Sequence, residues 1–305
     1  MVAATRSVVL RRPGCSRMGV VPPHAYFVGS AVFHYLGPSF AVLLFARVDV
    51  LGVAWLRIAS AAVVMGLWRR PWRRFVVLAR GDQALVVALG AVFAVMNACF
   101  YVAIDRLPLA TVAAIEFVGP IALALVGARS ARNWLAVVAA SVGVYMITHV
   151  HFGGQPVGIA FALANALLFT LYIVLAHRVA RSSAMSGMDG LAAAMLFALV
   201  FVFPIGFAGA MHAFSDPVAI AAGIGVGVSS SVIPYVFDQL AMARLARATY
   251  ALFVSLLPAC AVVIGVVVLS QFPSVLDLAG IGLVMVGVAV HREREPQTVR
   301  AGAET

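Results

Sequence analysis

Three ionisable side chains interrupt long apolar runs in this chain: Arg57, Glu116 and Asp238. On insertion scales a charge at the centre of the hydrocarbon core costs roughly 2.5–3.5 kcal/mol, so each needs a partner or a water-filled cavity. Arg57 lies seven residues past Val50, and Glu116 seven past Leu109, where two apolar runs begin. At about 1.5 Å per helical residue, both sit ~10 Å below the ends of their helices. Opposite charges at one depth can pair. Two compatible readings follow: a fixed ion pair that holds two helices together, or an anion site at Arg57 beside a proton or ammonium site at Glu116. Removing either partner alone strands a buried charge.

Prolines sit next to both acids. Glu116 opens the run Glu116-Phe117-Val118-Gly119-Pro120. A proline inside a helix frees the carbonyl four residues back, here that of Glu116 itself. A carboxylate in low-dielectric surroundings, next to a bare carbonyl, suits proton exchange, because its charged form is disfavoured there. The plainer reading is a packing kink with a solvated glutamate. Asp238 follows Pro234-Tyr235, with Gln239 adjacent, and Pro234 frees the carbonyl of Ser230 within Ser229-Ser230-Ser231. Asp238 is either a second proton-coupling acid or an interfacial aspartate answering Arg244 or Arg247. Asn97 and Tyr101 are four apart and share a helix face, as do Asn165 and Tyr172, seven apart. They line a polar path or make interhelical hydrogen bonds. His34 is a proton carrier or a core histidine. His149 and His151 have no carboxylate or cysteine near them, so no metal site is expected.

The elements that must hold these groups are membrane spans. Hydrophobic residues make up 64% of the 305 and charged residues 10%, against about 25% charged in an ordinary soluble domain. That excludes a soluble enzyme, a disordered chain and a nucleic-acid-binding protein. About 20 apolar residues make one helical crossing. Ten such segments are expected, at 25–46, 50–68, 84–104, 109–127, 133–150, 157–176, 189–208, 217–242, 248–270 and 275–290. They are apolar on all sides, which excludes the alternation of a membrane barrel. All basic residues are arginine, and they fall on one side of this arrangement. With the N-terminus inside, only Arg47 and Arg106 lie outside and only Arg57 lies within a span. By the positive-inside rule both termini are cytoplasmic and the number of spans is even. Residues 1–24 and 291–305 are read as cytoplasmic tails, the first basic rather than a cleavable signal. Cys15, Cys99 and Cys260 do not form a disulfide framework.

Shifted by 138 residues, the fourth span matches the ninth. Arg106 meets Arg244, Thr111 meets Thr249, Pro120 meets Pro258 and Gly127 meets Gly265. Residues 25–150 and 157–290 are therefore expected to be two five-helix repeats. Five is odd, so the halves insert with opposite orientation, an architecture that places a substrate site near the midplane and allows alternating access. The glycines at 223, 225, 227, 280, 282 and 287 offer small faces for close packing. The chain has no G-x-x-x-x-G-K-[ST], G-x-S-x-G or H-E-x-x-H, so ATP use, a hydrolase activity and a cofactor are not expected.

Gly52-Val53, Leu56-Arg57-Ile58-Ala59, Pro71-Trp72-Arg73 and Pro108-Leu109 through Glu116-Phe117-Val118-Gly119-Pro120 resemble the EamA-type drug/metabolite transporter superfamily, most closely its threonine/homoserine exporter branch. Pro234-Tyr235, Asp238 and Pro258 are similar to the second half of that branch. The resemblance implies ten helices in a bacterial inner membrane and export of amino acids or related metabolites in exchange for protons. It implies functional roles for Arg57, Glu116 and Asp238; with the residue reading, substrate contacts are expected at Arg57, Glu116, Asn97, Tyr101, Tyr235 and Asp238, proton coupling at Glu116 and Asp238, and helix kinks at Pro120, Pro234 and Pro258. The expected partners are a small-molecule substrate, protons and lipid, with a homodimer left open. Two residues depart from the branch: Leu257 stands where a glutamate commonly precedes the span-nine proline, and Asp238 where the branch has the longer glutamate. Efflux of a drug or nucleoside-type metabolite, or a non-transporting scaffold, are the alternatives.

Overall fold

In hydrocarbon every backbone N–H and C=O must be satisfied within its own segment, so runs rich in Ala, Val, Leu and Gly fold as helices. The structure is a computed structural model, and it describes residues 22–127, 130–152, 155–181, 185–242 and 254–290. All regular structure among them is helical. The helices are α1 (Pro23–Leu44), α2 (Val50–Arg69), α3 (Trp72–Phe75), α4 (Arg80–Ile104), α5 (Leu109–Glu116), α6 (Val118–Gly127), α7 (Ala131–Phe152), α8 (Pro156–Arg181) and α9 (Gly187–Ala210), then α10 (Pro217–Gly227), α11 (Ile233–Met242), α12 (Leu257–Leu269) and α13 (Val275–Val290). A 3-10 turn, Met211–Ser215, follows α9, and a π-helical segment, Val228–Val232, joins α10 to α11.

Six helical stretches among the described residues are long and apolar enough to cross a membrane: His24–Leu44, Val50–Arg69, Arg80–Ile104, Pro156–Ala180, Gly187–Ser215 and Pro217–Asp238. Four shorter apolar helices occupy the other expected segments: Leu109–Leu123, Ala131–Ile147, Leu257–Leu269 and Val275–Val290. Many large apolar side chains face outward, among them Leu67, Trp134, Leu167, Val200 and Val267. Such a surface belongs in lipid rather than in water. Residues 248–253 of the ninth expected span, residues 1–21 and 291–305 of the tails, and Arg129, Arg244 and Arg247 lie outside the described residues.

Local chemistry sets the helix ends. Asp49 accepts from the Leu51 and Gly52 amides at the start of α2, Ser186 from the Asp189 amide at α9, and Asp216 from the Val218 amide at α10. Ser274 and Asp277 exchange hydrogen bonds in a capping box that opens α13. Two acids at these helix starts also join separate parts of the chain. Asp216 takes a 3.0 Å ion pair from Arg47, whose hydrogen bond holds its carboxyl below the usual carboxylate range. Asp189, 5% exposed in its side chain, takes Arg69 at 2.7 Å and Arg74 at 3.5 Å.

Packing follows the small residues. α2 lies along α9, α7 along α13, and α4 against α8 and α9. α1 packs on α10, the π segment, α11 and α12, and α5 packs on α12 and α8. At the α2–α9 seam a Cβ on Gly52 would overlap the Gly209 carbonyl and stand 2.6 Å from the Ala210 nitrogen. At the α7–α13 seam a Cβ on Gly143 would stand 2.5 Å from the Gly280 carbonyl oxygen, and one on Gly280 would stand 2.7 Å from that of Gly143. Between α1 and α10 the packing opens into a groove of about 420 Å³, lined by Phe40, Leu43, Val218, Ala222, Gly225 and Ser229. The Gly225 Cα faces open space there.

Gly52→Ala presses a methyl onto backbone that cannot yield and is expected to lower stability by about 1–3 kcal/mol. Gly225→Ala meets nothing and is expected to be neutral or slightly stabilising. Melting temperatures of the two purified variants in one detergent check the contrast.

Candidate functional site

Arg57 leaves the middle of α2 and is 7% exposed. Its guanidinium points into the π segment, not at Glu116. Nε donates to Ser231 Oγ at 3.1 Å, and Nη2 donates to the Ser230 carbonyl at 3.4 Å. This is the carbonyl that Pro234 frees by lacking an N–H. The backbone relaxes there into π geometry, and an arginine takes up the acceptor. From the other side the Tyr101 ring of α4 lies 5.5 Å from Arg57 Cζ, a cation–π contact. Backbone proximity makes the reach possible: Gly227 stands where a Cβ would be 2.6 Å from the Arg57 carbonyl oxygen.

Glu116 is the last residue of α5 and is 8% exposed. The expected span 109–127 is interrupted at Phe117 alone, which keeps right-handed helical dihedrals and whose amide turns back to Ala114 at 3.3 Å; α6 follows from Val118 with Pro120 in its first turn. Glu116 Oε1 accepts from Asn165 Nδ2 of α8 at 3.2 Å. No Arg57–Glu116 ion contact forms among the described residues, so a fixed pair joining their helices is not what the structure holds. The two charges are close enough to interact through space, but each hydrogen-bonds elsewhere.

The other candidates divide. Tyr101 belongs to the Arg57 site. Asn97 turns its amide back onto the Phe93 carbonyl of its own helix at 2.8 Å, so a shared face does not carry it to the same partner. Tyr235 lies beside Tyr172 and Phe93 and within electrostatic range of Arg57, Glu116 and Asp238. Asp238 Oδ1 accepts from Ser30 Oγ of α1 at 2.6 Å; Arg244 and Arg247, its alternative partners, are outside the described residues. His34 stacks edge-on against Tyr35 and lies within range of Arg57. Pro258 is not in a helix interior. It sits in the first turn of α12, just past a break at residues 255–256. The side chains of Gln239, His149 and His151 are not described. Among the described residues no cluster of His, Cys, Asp and Glu could hold a metal, and Cys99 and Cys260 are free.

Two further groups belong to the site: Asn165, buried beside Glu116, and the Ser230–Ser231 pair beneath Arg57. Depth marks Asn165 in the sequence. It lies nine residues past Pro156, or ~13 Å down its helix, close to the level of Glu116. Four fully buried polar atoms in these residues and their neighbours have no hydrogen-bond partner: Tyr35 Oη, Tyr101 Oη, Asn165 Oδ1 and Ser230 Oγ. A cation, an acid and unfilled polar valences thus share one interior region, the chemistry of a site that receives a small polar ligand.

Residues 156–291 match the model of the EamA-like transporter family. The chain is 30% identical over 272 residues to the threonine/homoserine exporter RhtA of Salmonella typhimurium (strain SL1344), covering 86% of this chain and 89% of that one. It is 30% identical over 256 residues to RhtA of Escherichia coli (strain K12), covering 82% and 84%. A solved crystal structure of another protein superposes with a TM-score of 0.54 at 16% identity, over 88% of this chain and 96% of that one, a likeness of fold alone.

Arg57→Lys keeps the charge but replaces the planar fork, which reaches Ser231 and Ser230 from two separate nitrogens, with a single ammonium nitrogen. A loss of about 2 kcal/mol is expected, the scale of one hydrogen bond to a charged group. Thermal unfolding against wild type measures it, and Tyr101→Phe, which keeps the ring, should fall well short of that loss.

Proposed function

Because the chain belongs to the EamA-like transporter family, we propose that it is an inner-membrane secondary transporter exporting small polar metabolites, amino acids such as threonine or homoserine, in exchange for protons. The observation that carries this reading is the pair of buried opposite charges, Arg57 and Glu116, that are near one another yet not in contact. A zwitterion needs one partner of each sign. Arg57 spends two N–H groups on Ser230 and Ser231 and keeps others for a carboxylate, which a guanidinium binds bidentately. Glu116 receives the ammonium. A proton and an ammonium cannot hold the same carboxylate together, so protonation of Glu116 from outside releases substrate there, and its deprotonation inside restores the site. Asp238, placed by Ser30 and near Tyr235, is the second proton-coupling acid.

Alternating access rests on ten spans in two inverted halves, residues 25–150 and 157–290, and the packing supports this. If each span of the first half is exchanged with its counterpart five spans later, the α2–α9 and α7–α13 pairs map onto themselves. The α4–α8 contact maps onto the contact of α1 with α10 and α11. The break at Phe117 recurs 138 residues later, ahead of Pro258. Discontinuous helices of this kind form the substrate sites of inverted-repeat transporters. Arg69, Arg70, Arg73, Arg74 and Arg80 at one end of α2 and α4 give the cytoplasmic side.

A second reading, efflux of a drug or nucleoside-type metabolite, draws on the aromatic cluster of Phe93, Phe169, Tyr172 and Tyr235. Competition separates the two: zwitterions displace substrate from a site built on Arg57 and Glu116, and lipophilic cations do not.

The functional test is efflux. Wild type and Glu116→Gln are expressed at equal membrane levels in bacteria lacking their own threonine and homoserine exporters. The cells are loaded with a threonine-containing dipeptide, and external amino acids are followed by mass spectrometry with and without a proton gradient. Gradient-dependent export by wild type, lost in Glu116→Gln, is expected. No amino-acid export above empty vector would overturn the amino-acid assignment.

A further inference from the structure

Asn165 does more than join α8 to α5. The Glu116 carboxylate offers only acceptors when ionised, so the Asn165 amide must turn its NH2 toward it, as the 3.2 Å contact shows. That choice fixes the other end of the amide. Oδ1, on the other branch of the amide from Nδ2, belongs to a residue that is 0% exposed and itself has no hydrogen-bond partner among the described residues. An interhelical tether needs one bond and can leave its second atom at a surface. Here the second atom is buried and bare beside the acid, where an unsatisfied acceptor is costly.

We propose that Asn165 Oδ1 is the second half of the ammonium subsite, and that together with Glu116 it selects a primary α-ammonium over an α-hydroxyl. The inference rests on the amino-acid reading given above. Glu116 and Asn165 Oδ1 present acceptors only. The group that satisfies both must bring several N–H or O–H donors and no lone pair. An ammonium does so with three donors and a positive charge. A hydroxyl brings one donor, and its lone pairs face whichever acceptor it does not serve. Tyr35 Oη is a further buried polar atom without a hydrogen-bond partner among the described residues. A single group therefore reads the charge and the donor count at the substrate's α-carbon, and a hydroxy acid of the same shape is refused.

The experiment is binding of labelled threonine to the full-length protein in lipid nanodiscs, competed by unlabelled threonine and by 2,3-dihydroxybutyrate, its α-hydroxy counterpart. Wild type should prefer threonine by about 10- to 100-fold, the range of one or two hydrogen bonds to a charged group. Asn165→Leu keeps the volume and removes the acceptor. It should lose about tenfold in threonine affinity, with the preference narrowed by the same factor. Asn165→Asp is the isosteric control. Beside Glu116 two carboxyls share one proton, so a protonated Asp at this position donates to Glu116 and holds its carbonyl oxygen where Oδ1 stood. It should keep the preference within a few-fold of wild type, and it carries the test if the leucine variant does not fold. Threonine binding by wild type with an unchanged preference in a folded Asn165→Leu overturns this proposal and leaves the amino-acid reading standing. A loss of preference in Asn165→Asp overturns it equally. A wild type that binds no amino acid overturns both.

Discussion

A guanidinium buried among apolar helices is the constraint around which the rest of the molecule is arranged. Arg57 cannot shed its charge, and lipid offers it nothing. The chain answers with backbone. Pro234 withholds one N–H, the Val228–Val232 turn widens to π geometry, and the released Ser230 carbonyl becomes the acceptor. For that to happen α10 must lie almost on the backbone of α2, which Gly227 allows. Tyr101 then closes the opposite face. A proline, a glycine, a serine pair and a tyrosine from distant parts of the sequence are thus explained by one ion.

The same economy appears at the helix ends. Asp216 caps α10 and also binds Arg47, while Asp189, whose own amide is capped by Ser186 in the first turn of α9, binds Arg69. Asp189 is buried against Arg69 at one end of the α2–α9 pair, while Arg47 and Asp216 meet at the other end and are largely in solvent. Buried ion pairs are hard to break and exposed ones are weak. The end of α2 that carries Arg69 is therefore the better fastened. Between these ends, glycines bring α2 close to α9 and α7 close to α13, whereas α1 and α10 leave a groove beside Ser229.

How much of this could be read from residues alone follows from what one dimension encodes. Apolar runs gave the helical segments, and their ends gave depth. Arg57, Glu116 and Asn165 lie at similar levels, and counting residues finds that level. The Ser230 carbonyl was legible too, because a proline acts on a fixed neighbour four residues back. Direction around each helix axis was not legible. Arg57 and Glu116 share a depth and still turn to different partners, and Asn97 shares a face with Tyr101 and bonds to its own helix. Azimuth is set by which helices pack together, and those are distant in sequence. The exact place of the interruption was hidden for another reason: Pro120 predicts a disturbance over the turn before it, and the amide that gives way is that of Phe117, which turns back to Ala114.

The glycine seams also bear on how such a chain can change over generations. Every replacement of glycine adds a Cβ, so the Gly52 and Gly143 positions have no neutral neighbours in sequence space, while Leu67 or Val267 on the lipid-facing surface have many. Substitutions should therefore accumulate on the outside of the bundle and spare the lines along which its helices touch. A lineage could drift far in overall identity while the spacing of its α2–α9 and α7–α13 pairs stays as it is.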